Sequence, residues 1–251
     1  MYCQHQALSK GFWKSAPEVP PPLQKKEVHV WSSGLMPSKS ALLGYWEILS
    51  EVEKDRSELF RFAKDRIAYV TAKGVLRKLL GHYLDVIPST IQFEHNSFGK
   101  PFLAEAPHAL QFNISHSGGI GLFGFAPDAE IGVDIEQVKS EIQVQKTAAR
   151  FFSKNEADTI LSLAKEDQVN AFFKCWTRKE AFIKGHGQGM SLPLDEFEVS
   201  VLDETLVELR RVAWDENEAK EWRLTSFDVA EGFVGAMACR TPVERVRYFE
   251  V

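Results

Sequence analysis

One pattern occurs twice along the chain, and this repeat constrains the fold more than any other feature of the sequence. LQFNISHSGGIGLFGFA (residues 110–126) and LTSFDVAEGFVGAMAC (residues 224–239) each predict two strands joined by a turn that contains glycine. Each of these hairpins follows a long helical pattern, at residues 65–84 and at Asn170 to Lys184. The repeat predicts an α+β protein made of two similar α/β halves that meet near residue 130.

The chain divides on this basis into three parts. Residues 1–26 include three prolines at Pro20 to Pro22, and we expect them to form a flexible N-terminal tail. Residues 27–130 then make the N-terminal half and residues 131–251 the C-terminal half.

Strand, turn and cap patterns fill both halves. EVHVWSSGL (residues 27–35) alternates like a strand, and so does EIGVDIE. IQFEHNSFGKPFL predicts two short strands around a turn at Ser97 to Lys100. SKNE, at Ser153 to Glu156, matches a capping box that begins a helix. Four C-terminal segments predict antiparallel strands: EFEVSVLD, TLVELRRVAW, EWRLTSFDV and FVGAMACR.

Composition excludes several classes of function. The net charge of −5 and the pI of about 5.9 argue against a large nucleic-acid-binding surface. Apolar runs are shorter than a membrane span, and the N-terminus lacks the apolar run of a secretory signal. The three cysteines are too scattered for a disulfide framework or a zinc site. We therefore expect a cytoplasmic protein that binds neither membrane nor nucleic acid.

The first candidate site is FNISHSGG, residues 112–119. Asn113 and Ser115 share one face of the predicted strand, and His116 lies at its end beside two glycines. Such a turn can present N–H groups, a hydroxyl and an imidazole to an anion. The alternative, favoured when this motif is taken alone, is a polar hairpin turn whose side chains bond their own backbone. A serine-hydrolase site is favoured still less, because Ser117 lacks the glycine-flanked nucleophile elbow and the side chains of Ser115 and His116 diverge.

The second candidate is IGVDIE. In a strand, Asp134 and Glu136 point to one face, opposite a face of Ile131, Val133 and Ile135. Two adjacent, partly buried carboxylates repel unless a cation neutralises them, and oxygen ligands suit Mg²⁺. The alternative is a half-exposed strand with an acidic outer face.

The third candidate is FFKCWTRKEAFIKGHGQG, residues 172–189. Trp176, Glu180 and Lys184 form one stripe along a predicted helix, which we expect to end just past Lys184, at Gly185 and the glycines after it. Glu180 and Lys184 could make only a surface salt bridge, but the tryptophan in the stripe argues against a fully solvated face. Cys175, in mid-helix among aromatic residues, is more typical of packing than of a thiol nucleophile.

FGKP, at residues 98–101, lacks the pattern of a phosphate-binding P-loop. Its Lys100, placed on a tight turn, can still hold a phosphate as a point charge.

Taken together, the motifs resemble a known family. FGKP, FNISHS, IGVDIE and FFKCWTRKEAFIKGHGQGMSLPL, in this order and spacing, resemble the 4′-phosphopantetheinyl transferases of the longer, monomeric, surfactin-synthetase-activating type. The resemblance runs from about Leu49 to about Leu194. It implies two α/β halves in a pseudo-twofold arrangement, with the active site at their interface. It also implies Mg²⁺-dependent transfer of the 4′-phosphopantetheine arm of coenzyme A to a serine of an acyl, peptidyl or polyketide carrier protein, with release of 3′,5′-ADP.

The resemblance also implies roles for individual residues. Asp134, Glu136 and Glu180 match the magnesium ligands, and Glu180 is also the candidate base. Lys184 and His116 match groups that act on the phosphates during transfer. The residues expected to contact coenzyme A are Arg56, Lys100, Ser115, His116 and Lys184.

Two positions depart from the family pattern. Ala68 and Leu59 stand where an arginine is frequent, so binding of the 3′-phosphate would depend more on Arg56, Lys64 or other basic residues.

The partner and two competing functions stay open. Carrier surfaces are often acidic, so we expect docking at four basic residues: Lys139, Lys146, Arg150 and Lys154. A Mg²⁺-dependent phosphodiester hydrolase would use the same carboxylates without a carrier. A non-catalytic module that binds coenzyme A or a carrier domain is the third possibility, although the retained acidic residues and Lys184 argue against it.

Overall fold

The computed structural model describes residues 13–15, 17, 20–105, 110–202, 207–240 and 242–251. Two sheets dominate this part of the chain, and each one packs against a helix of 22 residues. This mixed architecture of two similar halves confirms the fold class predicted from the internal repeat.

The first half begins with a short strand and contains three helices. Its elements are β1 (Lys14–Ser15), β2 (Glu27–Gly34), α1 (Lys39–Glu47), α2 (Glu51–Glu58), α3 (Ala63–Leu84), β3 (Phe93–His95), β4 (Pro101–Leu103), β5 (Gln111–Ser117) and β6 (Ile120–Ala126), with a 3₁₀ turn at Pro88–Thr90. Helix α3 packs through Val75, Leu76 and Leu79 against Phe123 and Phe125 of the sheet. The hairpin β5–β6 forms as predicted, although its turn is limited to Gly118 and Gly119 because the strands extend to Ser117 and Ile120.

The second half repeats this plan around a different long helix. Its elements are β7 (Ile131–Gln137), α4 (Val144–Phe151), α5 (Lys154–Leu161), α6 (Lys165–His186), β8 (Phe197–Val199), β9 (Leu209–Val212), α7 (Glu218–Glu221), β10 (Trp222–Ala230), β11 (Phe233–Arg240) and β12 (Arg245–Glu250), with 3₁₀ turns at Gly189–Ser191 and Leu194–Glu196. The capping box at Ser153 begins α5 as predicted. The pairs β8–β9 and β10–β11 are antiparallel, which confirms that prediction as well.

The two main sheets share a core but not a backbone ladder. The five-stranded sheet has the order β1-β12-β2-β6-β5, and the three-stranded sheet has the order β10-β11-β7. Ile131, Val133 and Ile135 of β7 pack with Val30 and Leu122 of the first sheet, so the predicted apolar face of β7 is confirmed. Strands β5 and β7 are the neighbouring edges of the two sheets, and within the described ranges no strand pairing joins them.

A close approach of helix to strand places α6 directly on β7. A Cβ atom at Gly132 would lie 2.0 Å from the carbonyl oxygen of Ala181 and 2.2 Å from the nitrogen of Gly185. Only glycine therefore allows this contact. The helix ends among the glycines that follow Lys184, as predicted, although Gly185 itself is still helical: α6 continues to His186, and Gly187 ends it with a φ of 83°. Gly185 is also required by packing, because a Cβ atom there would lie 2.7 Å from the Trp222 ring and 3.1 Å from the nitrogen of Gly132.

The first described residues and the last strand both contact the half of the protein to which the sequence does not assign them. Strand β12 pairs in parallel with β2, so the last strand lies in the sheet of the first half although it falls within the predicted C-terminal range. Trp13 contacts the rings of Phe227 and Tyr248, and Leu23 packs on the first core. These residues of the predicted tail are packed rather than free, while residues 1–12 lie outside the described part. The division at residue 130 stays a prediction.

No helix among the described residues combines the length and the apolar character needed to cross a bilayer.

Candidate active site

The candidate site lies where β5, β7 and α6 meet. Alternation along β7 turns Asp134 and Glu136 away from the shared core and towards β5 and α6. Asp134 is almost fully buried, at 3% exposure, and Glu136 is half-buried. The predicted pairing of the two carboxylates on one face of a strand is therefore present in the structure.

Asp134 is held by residues from both halves. Its Oδ1 atom accepts hydrogen bonds from the Ser115 hydroxyl at 2.8 Å and from the Lys184 ammonium at 2.6 Å. Lys184 also donates to the Ser115 hydroxyl at 2.9 Å, which closes a triangle. The second oxygen, Oδ2, is buried and makes no hydrogen bond with any of the described residues. A buried carboxylate oxygen without a donor is a ready ligand for a cation.

Burial raises the pKa of Asp134, against the opposing effects of Lys184 and of the hydrogen bonds that the carboxylate accepts. The ionised form is therefore disfavoured until positive charge is supplied.

Glu136 lies one pleat further along β7 and has its own partner. The Ser117 hydroxyl donates to Glu136 Oε2 at 2.8 Å. Burial raises the pKa of Glu136, and the neighbouring charge of Asp134 raises it as well. A cleft of about 410 Å³ begins at Glu136 and is walled by Phe172, Phe173 and Trp176.

Glu180 lies one helical turn before Lys184 on α6 and is half-buried. Burial raises its pKa first, and the charges of Asp134 and then Glu136 raise it further, whereas Lys184 lowers it. The three carboxyl groups thus interact electrostatically, as carboxylates around a shared cation would. However, no three acidic, histidine or cysteine side chains of the described residues are arranged closely enough to hold a metal ion together. The role of Glu180 as a third ligand stays a prediction.

His116 differs from its neighbour Ser115 because strand alternation leaves its side chain exposed. Its pKa is lowered, first by partial desolvation of the ring and then by the charge of Lys184. The free imidazole is therefore uncharged near neutral pH, and an incoming phosphate would favour its protonation.

Two basic residues lie apart from the Asp134 triangle. The Lys100 ammonium donates to the carbonyl oxygens of Gly185, at 2.7 Å, and Ile131, at 3.2 Å, and desolvation lowers its pKa to about 8. Here Lys100 joins the end of α6 to the start of β7, so a phosphate contact would require its release from these carbonyls. Arg56 is exposed on α2, and its charge acts on Tyr69 and Lys73 of α3 rather than on the triangle.

The region around the two departures from the family pattern contains a further lysine. Leu59 is exposed and Ala68 packs against the first core. Lys73 lies between the rings of Tyr69 and Phe93, at 5.9 and 5.7 Å, and desolvation lowers its pKa. The sequence motifs did not identify Lys73.

The sequence analysis did not predict the structural contacts of two other sets of residues. Arg178 and Lys179, inside the motif WTRKEAFIK, are both fully buried and anchor α6 to the second half. Asn113 and Ser117 bond β7 from β5. The only available signal was that polar residues at 113, 115 and 117 alternate on one strand while 134 and 136 alternate on another.

Comparison with known proteins gives a consistent result along most of the chain. Residues 130–238 match the model of the 4′-phosphopantetheinyl transferase superfamily, and residues 33–123 match a model described as 4′-phosphopantetheinyl transferase, N-terminal.

Individual relatives agree with the family models. A putative 4′-phosphopantetheinyl transferase of Synechocystis is 34% identical over 194 residues, which cover 76% of this chain and 77% of the relative. The 4′-phosphopantetheinyl transferase HetI of Nostoc is 35% identical and covers 71% and 76%. The 4′-phosphopantetheinyl transferase Sfp of Bacillus subtilis is 33% identical and covers 62% and 67%.

Proposed function

Because the chain belongs to the 4′-phosphopantetheinyl transferase superfamily and is of the Sfp-like type, we propose that the junction of β5, β7 and α6 is its transferase site. The protein is an enzyme that moves the 4′-phosphopantetheine arm of coenzyme A to a carrier protein. One observation supports this location above the others. Asp134 has one oxygen held by Lys184 and Ser115 and its second oxygen buried without a partner.

The residues present fit a hard divalent cation such as Mg²⁺. In the part of the chain that the structure describes, Asp134 Oδ2 accepts no hydrogen bond, and Ser117 bonds one oxygen of Glu136. Mg²⁺ commonly binds one or two carboxylates and takes its other ligands from water and phosphate oxygens. We therefore assign Asp134 and Glu136 as its ligands, with Glu180 as the third carboxylate of the group. The bound ion would supply positive charge beside the pyrophosphate of coenzyme A.

Several residues of the chain are proposed to contact the phosphates of coenzyme A. Lys184 is a point charge at the partly exposed end of the triangle, where it can turn from Asp134 to a phosphate oxygen. Ser115 is a hydroxyl donor at the same place. His116 is the exposed imidazole that a phosphate would contact next. Arg56 and Lys73 are proposed for the more distant 3′-phosphate, and Lys100 only if it leaves its two carbonyl partners.

Glu180 is the proposed base. Its raised pKa moves it towards neutral pH, which suits a group that accepts a proton during reaction. The carrier serine oxygen forms a bond to the phosphorus that bears the pantetheine arm. The bond from this phosphorus to the bridging oxygen breaks, and 3′,5′-ADP leaves. The serine proton passes to Glu180, directly or through water.

The cleft beside Glu136 suits the pantetheine arm and its approach to the carrier. Its aromatic wall includes Trp176, and Lys139 lies at its rim. Of the basic residues expected to dock the carrier, Lys146 and Arg150 are exposed on α4. Lys154 instead pairs with Asp158. Docking at this surface stays a prediction that a carrier panel at two salt concentrations tests.

Two further properties are proposals. Both halves contribute to the Asp134 triangle within one chain, which supports a monomer, and the mass measured by light scattering tests this. Cys175 and Cys239 are free and buried, which supports a reducing, cytoplasmic compartment.

Intact-mass analysis of an apo carrier protein incubated with coenzyme A and Mg²⁺ tests the proposal. We expect the carrier to gain one phosphopantetheine arm, and the gain to disappear with EDTA. Lys184→Ala should abolish the gain, whereas Lys78→Ala, which removes an exposed lysine over the Tyr45 ring, should not. Cleavage of coenzyme A with an unmodified carrier would indicate a hydrolase. Binding of coenzyme A without either reaction would indicate a binding module.

A further inference from the structure

Polar side chains replace a backbone ladder at the seam between the two sheets. Strands β5 and β7 lie side by side, yet β5 pairs only with β6 and β7 only with β11 in the part of the chain that the structure describes. Three residues at alternate positions of β5 reach across instead: Asn113, Ser115 and Ser117. Each makes a different kind of bond to β7, so the three have different tasks.

Asn113 bonds only the backbone of β7. Its Oδ1 atom accepts from the Val133 N–H at 2.9 Å, and the side chain is buried. The amide therefore satisfies a main-chain donor that a ladder would otherwise satisfy. Among the described residues, no hydrogen bond joins the Asn113 side chain to a carboxylate, so Asn113 serves as the comparison residue with a structural role.

Ser117 bonds both the backbone and a carboxylate. Its Oγ atom accepts from the Gln137 N–H at 3.2 Å and donates to Glu136 Oε2 at 2.8 Å. A hydroxyl has a single hydrogen to donate, so the bond from Gln137 turns this hydrogen towards Glu136. The Glu136 carboxylate is thereby fixed by one oxygen, and the other oxygen remains available.

The turn that follows Ser117 is itself fixed against the second sheet. Gly118 has a φ of 54°, and a Cβ atom there would lie 2.7 Å from the ring of Phe233 and 2.8 Å from Gln137 Oε1. This contact limits how far the end of β5 can move relative to β7. The Ser117 hydroxyl is therefore held at a constant place beside Glu136.

We propose that Ser117 is a positioning residue that orients Glu136 for the divalent cation, an inference that rests on the proposed transferase site. It acts through Glu136, not by touching the substrate or the ion. Ser115 has a different place because its hydroxyl bonds Asp134 and Lys184. Residues that orient metal ligands typically change metal affinity by about 10- to 100-fold when they are removed.

Mn²⁺ binding, followed by the loss of the free-ion electron paramagnetic resonance signal, tests the inference without any turnover. We expect Ser117→Ala to bind Mn²⁺ at least about 10-fold more weakly, and Ser117→Thr to restore most of the affinity because it keeps the hydroxyl. Ser162→Ala is the matched control, since this exposed serine bonds only the Thr159 carbonyl within its own helix turn. It should bind Mn²⁺ like the unsubstituted protein.

Asn113→Ala separates positioning from simple stability. It should lower the unfolding temperature, because it leaves the Val133 N–H buried without an acceptor, and leave the Mn²⁺ affinity of the folded protein much less changed. Unchanged Mn²⁺ affinity in a folded Ser117→Ala protein would overturn the inference. If the alanine variant does not fold, Ser117→Cys, with a much weaker donor, is measured instead and is expected to bind Mn²⁺ more weakly.

A double-mutant cycle with Glu136→Gln tests whether Ser117 changes the Mn²⁺ affinity through Glu136. If Ser117 acts through Glu136, Ser117→Ala has little further effect on Mn²⁺ affinity in the Glu136→Gln background. Additive losses would overturn the inference. Failure of the proposed function has a separate signature, namely that the unsubstituted protein leaves the apo carrier unmodified.

Discussion

Helix α6 carries two lysines, five residues apart, that each pair with a carboxylate. The two pairs differ in whether all their donors and acceptors are hydrogen-bonded. Lys179 bonds Glu156 with distances of 2.7 and 2.8 Å, and Lys184 bonds Asp134 at 2.6 Å. By distance alone the two pairs are alike. Their surroundings show that the first holds the fold together, whereas the second is open to a ligand.

In the Lys179 pair, the three donors of the ammonium and both oxygens of the carboxylate are hydrogen-bonded. Lys179 is fully buried, donates to both oxygens of Glu156 and to the Phe197 carbonyl, and lies 4.3 Å from the centre of the Phe197 ring. Glu156 also accepts from the backbone N–H groups of Val199 and Ser153. Buried charges persist when every donor and acceptor is matched in this way.

The Lys184 pair is incomplete on both sides. The Lys184 side chain is 30% exposed, so its ammonium can reach solvent or a bound anion. Asp134 Oδ2 is buried without a donor. An unpartnered oxygen alone does not mark a site, because Glu53 Oε1, in a buried pair with Arg77, also lacks a partner. What distinguishes Asp134 is the combination of a free oxygen, an exposed cationic partner and two further carboxyl groups nearby with raised pKa values.

The largest difference should appear when each lysine is removed. Lys179→Ala leaves Glu156 buried without its counter-charge, and breaking a buried pair in this way typically costs about 3–5 kcal/mol of unfolding free energy. Lys184→Ala should cost less, because the Lys184 side chain is 30% exposed and the remaining Asp134 carboxyl, whose pKa burial raises, keeps the Ser115 hydroxyl as a donor. Transfer activity should show the opposite order among folded proteins, with Lys184→Ala inactive. Urea unfolding and the carrier mass assay measure the two effects, and equal losses of stability would contradict the comparison.

Asp134→Ala removes the carboxylate of the Lys184–Asp134 pair, the pair that is open to a ligand. We expect transfer to fall by about 10²–10³-fold, the range typical for loss of one charge-stabilising group in an active site. The fold should persist, because the substitution removes a carboxyl whose pKa burial raises, and Lys184 can turn to solvent. Glu156→Ala is the comparison variant and should be much less stable. Normal transfer by Asp134→Ala with Mg²⁺ present would remove the basis for the metal assignment.

The local parts of the fold follow from the sequence, and its long-range pairings do not. The alternation of IGVDIE predicted both faces of β7, and the SKNE cap predicted the start of α5. Strand β12 escaped because its partner β2 lies about two hundred residues earlier, and no local pattern encodes a parallel partner. The glycines after Lys184 predicted the end of α6, but the sequence does not show that Gly185, the first of them, stays helical and packs against Trp222 and Gly132.

The site divides in the same way. Helical spacing placed Glu180 and Lys184 one turn apart, and strand alternation placed Asp134 beside Glu136. Neither pattern could separate Lys179 from Lys184, because burial of Lys179 depends on Glu156 of another helix. Nor could a pattern show that Lys100 bonds two backbone carbonyls, since those carbonyls belong to α6 and β7.

A smaller, pH-dependent effect on stability should distinguish the Asp134 site, which is open to a ligand, from the fully hydrogen-bonded pair of Lys179 and Glu156. Asp134, Glu136 and Glu180 have raised pKa values, so above the pKa of the unfolded chain the native state binds more protons than the unfolded state. Their contribution to stability is therefore complete at low pH and is lost as the pH rises through the raised pKa values. A divalent cation replaces these protons, so the increase in unfolding temperature on adding Mg²⁺ should grow as the pH rises.

The size of this effect is modest. Each 1 kcal/mol from the bound ion would raise the unfolding temperature by about 2–4 °C for a chain of this size. Differential scanning fluorimetry with and without Mg²⁺ at several pH values measures it. Asp134→Asn should lose most of the cation-dependent increase. A Mg²⁺ effect that does not change with pH would mean that the ion binds elsewhere.

The smallest expected effect is a shift at His116. Its pKa is lowered first by desolvation and then by the charge of Lys184, so Lys184→Ala should raise this pKa while the burial contribution remains. Lys78→Ala, which removes a lysine over the Tyr45 ring in the first half, should leave it unchanged. Adding 3′,5′-ADP should also raise the pKa, because a phosphate favours the protonated ring. Titration of the His116 ring signals by nuclear magnetic resonance measures all three cases. An unchanged His116 pKa in Lys184→Ala would mean that Asp134 neutralises the charge of Lys184 as completely as Glu156 neutralises that of Lys179. The difference between the two pairs would then rest only on the Asp134 oxygen that accepts no hydrogen bond from the described residues.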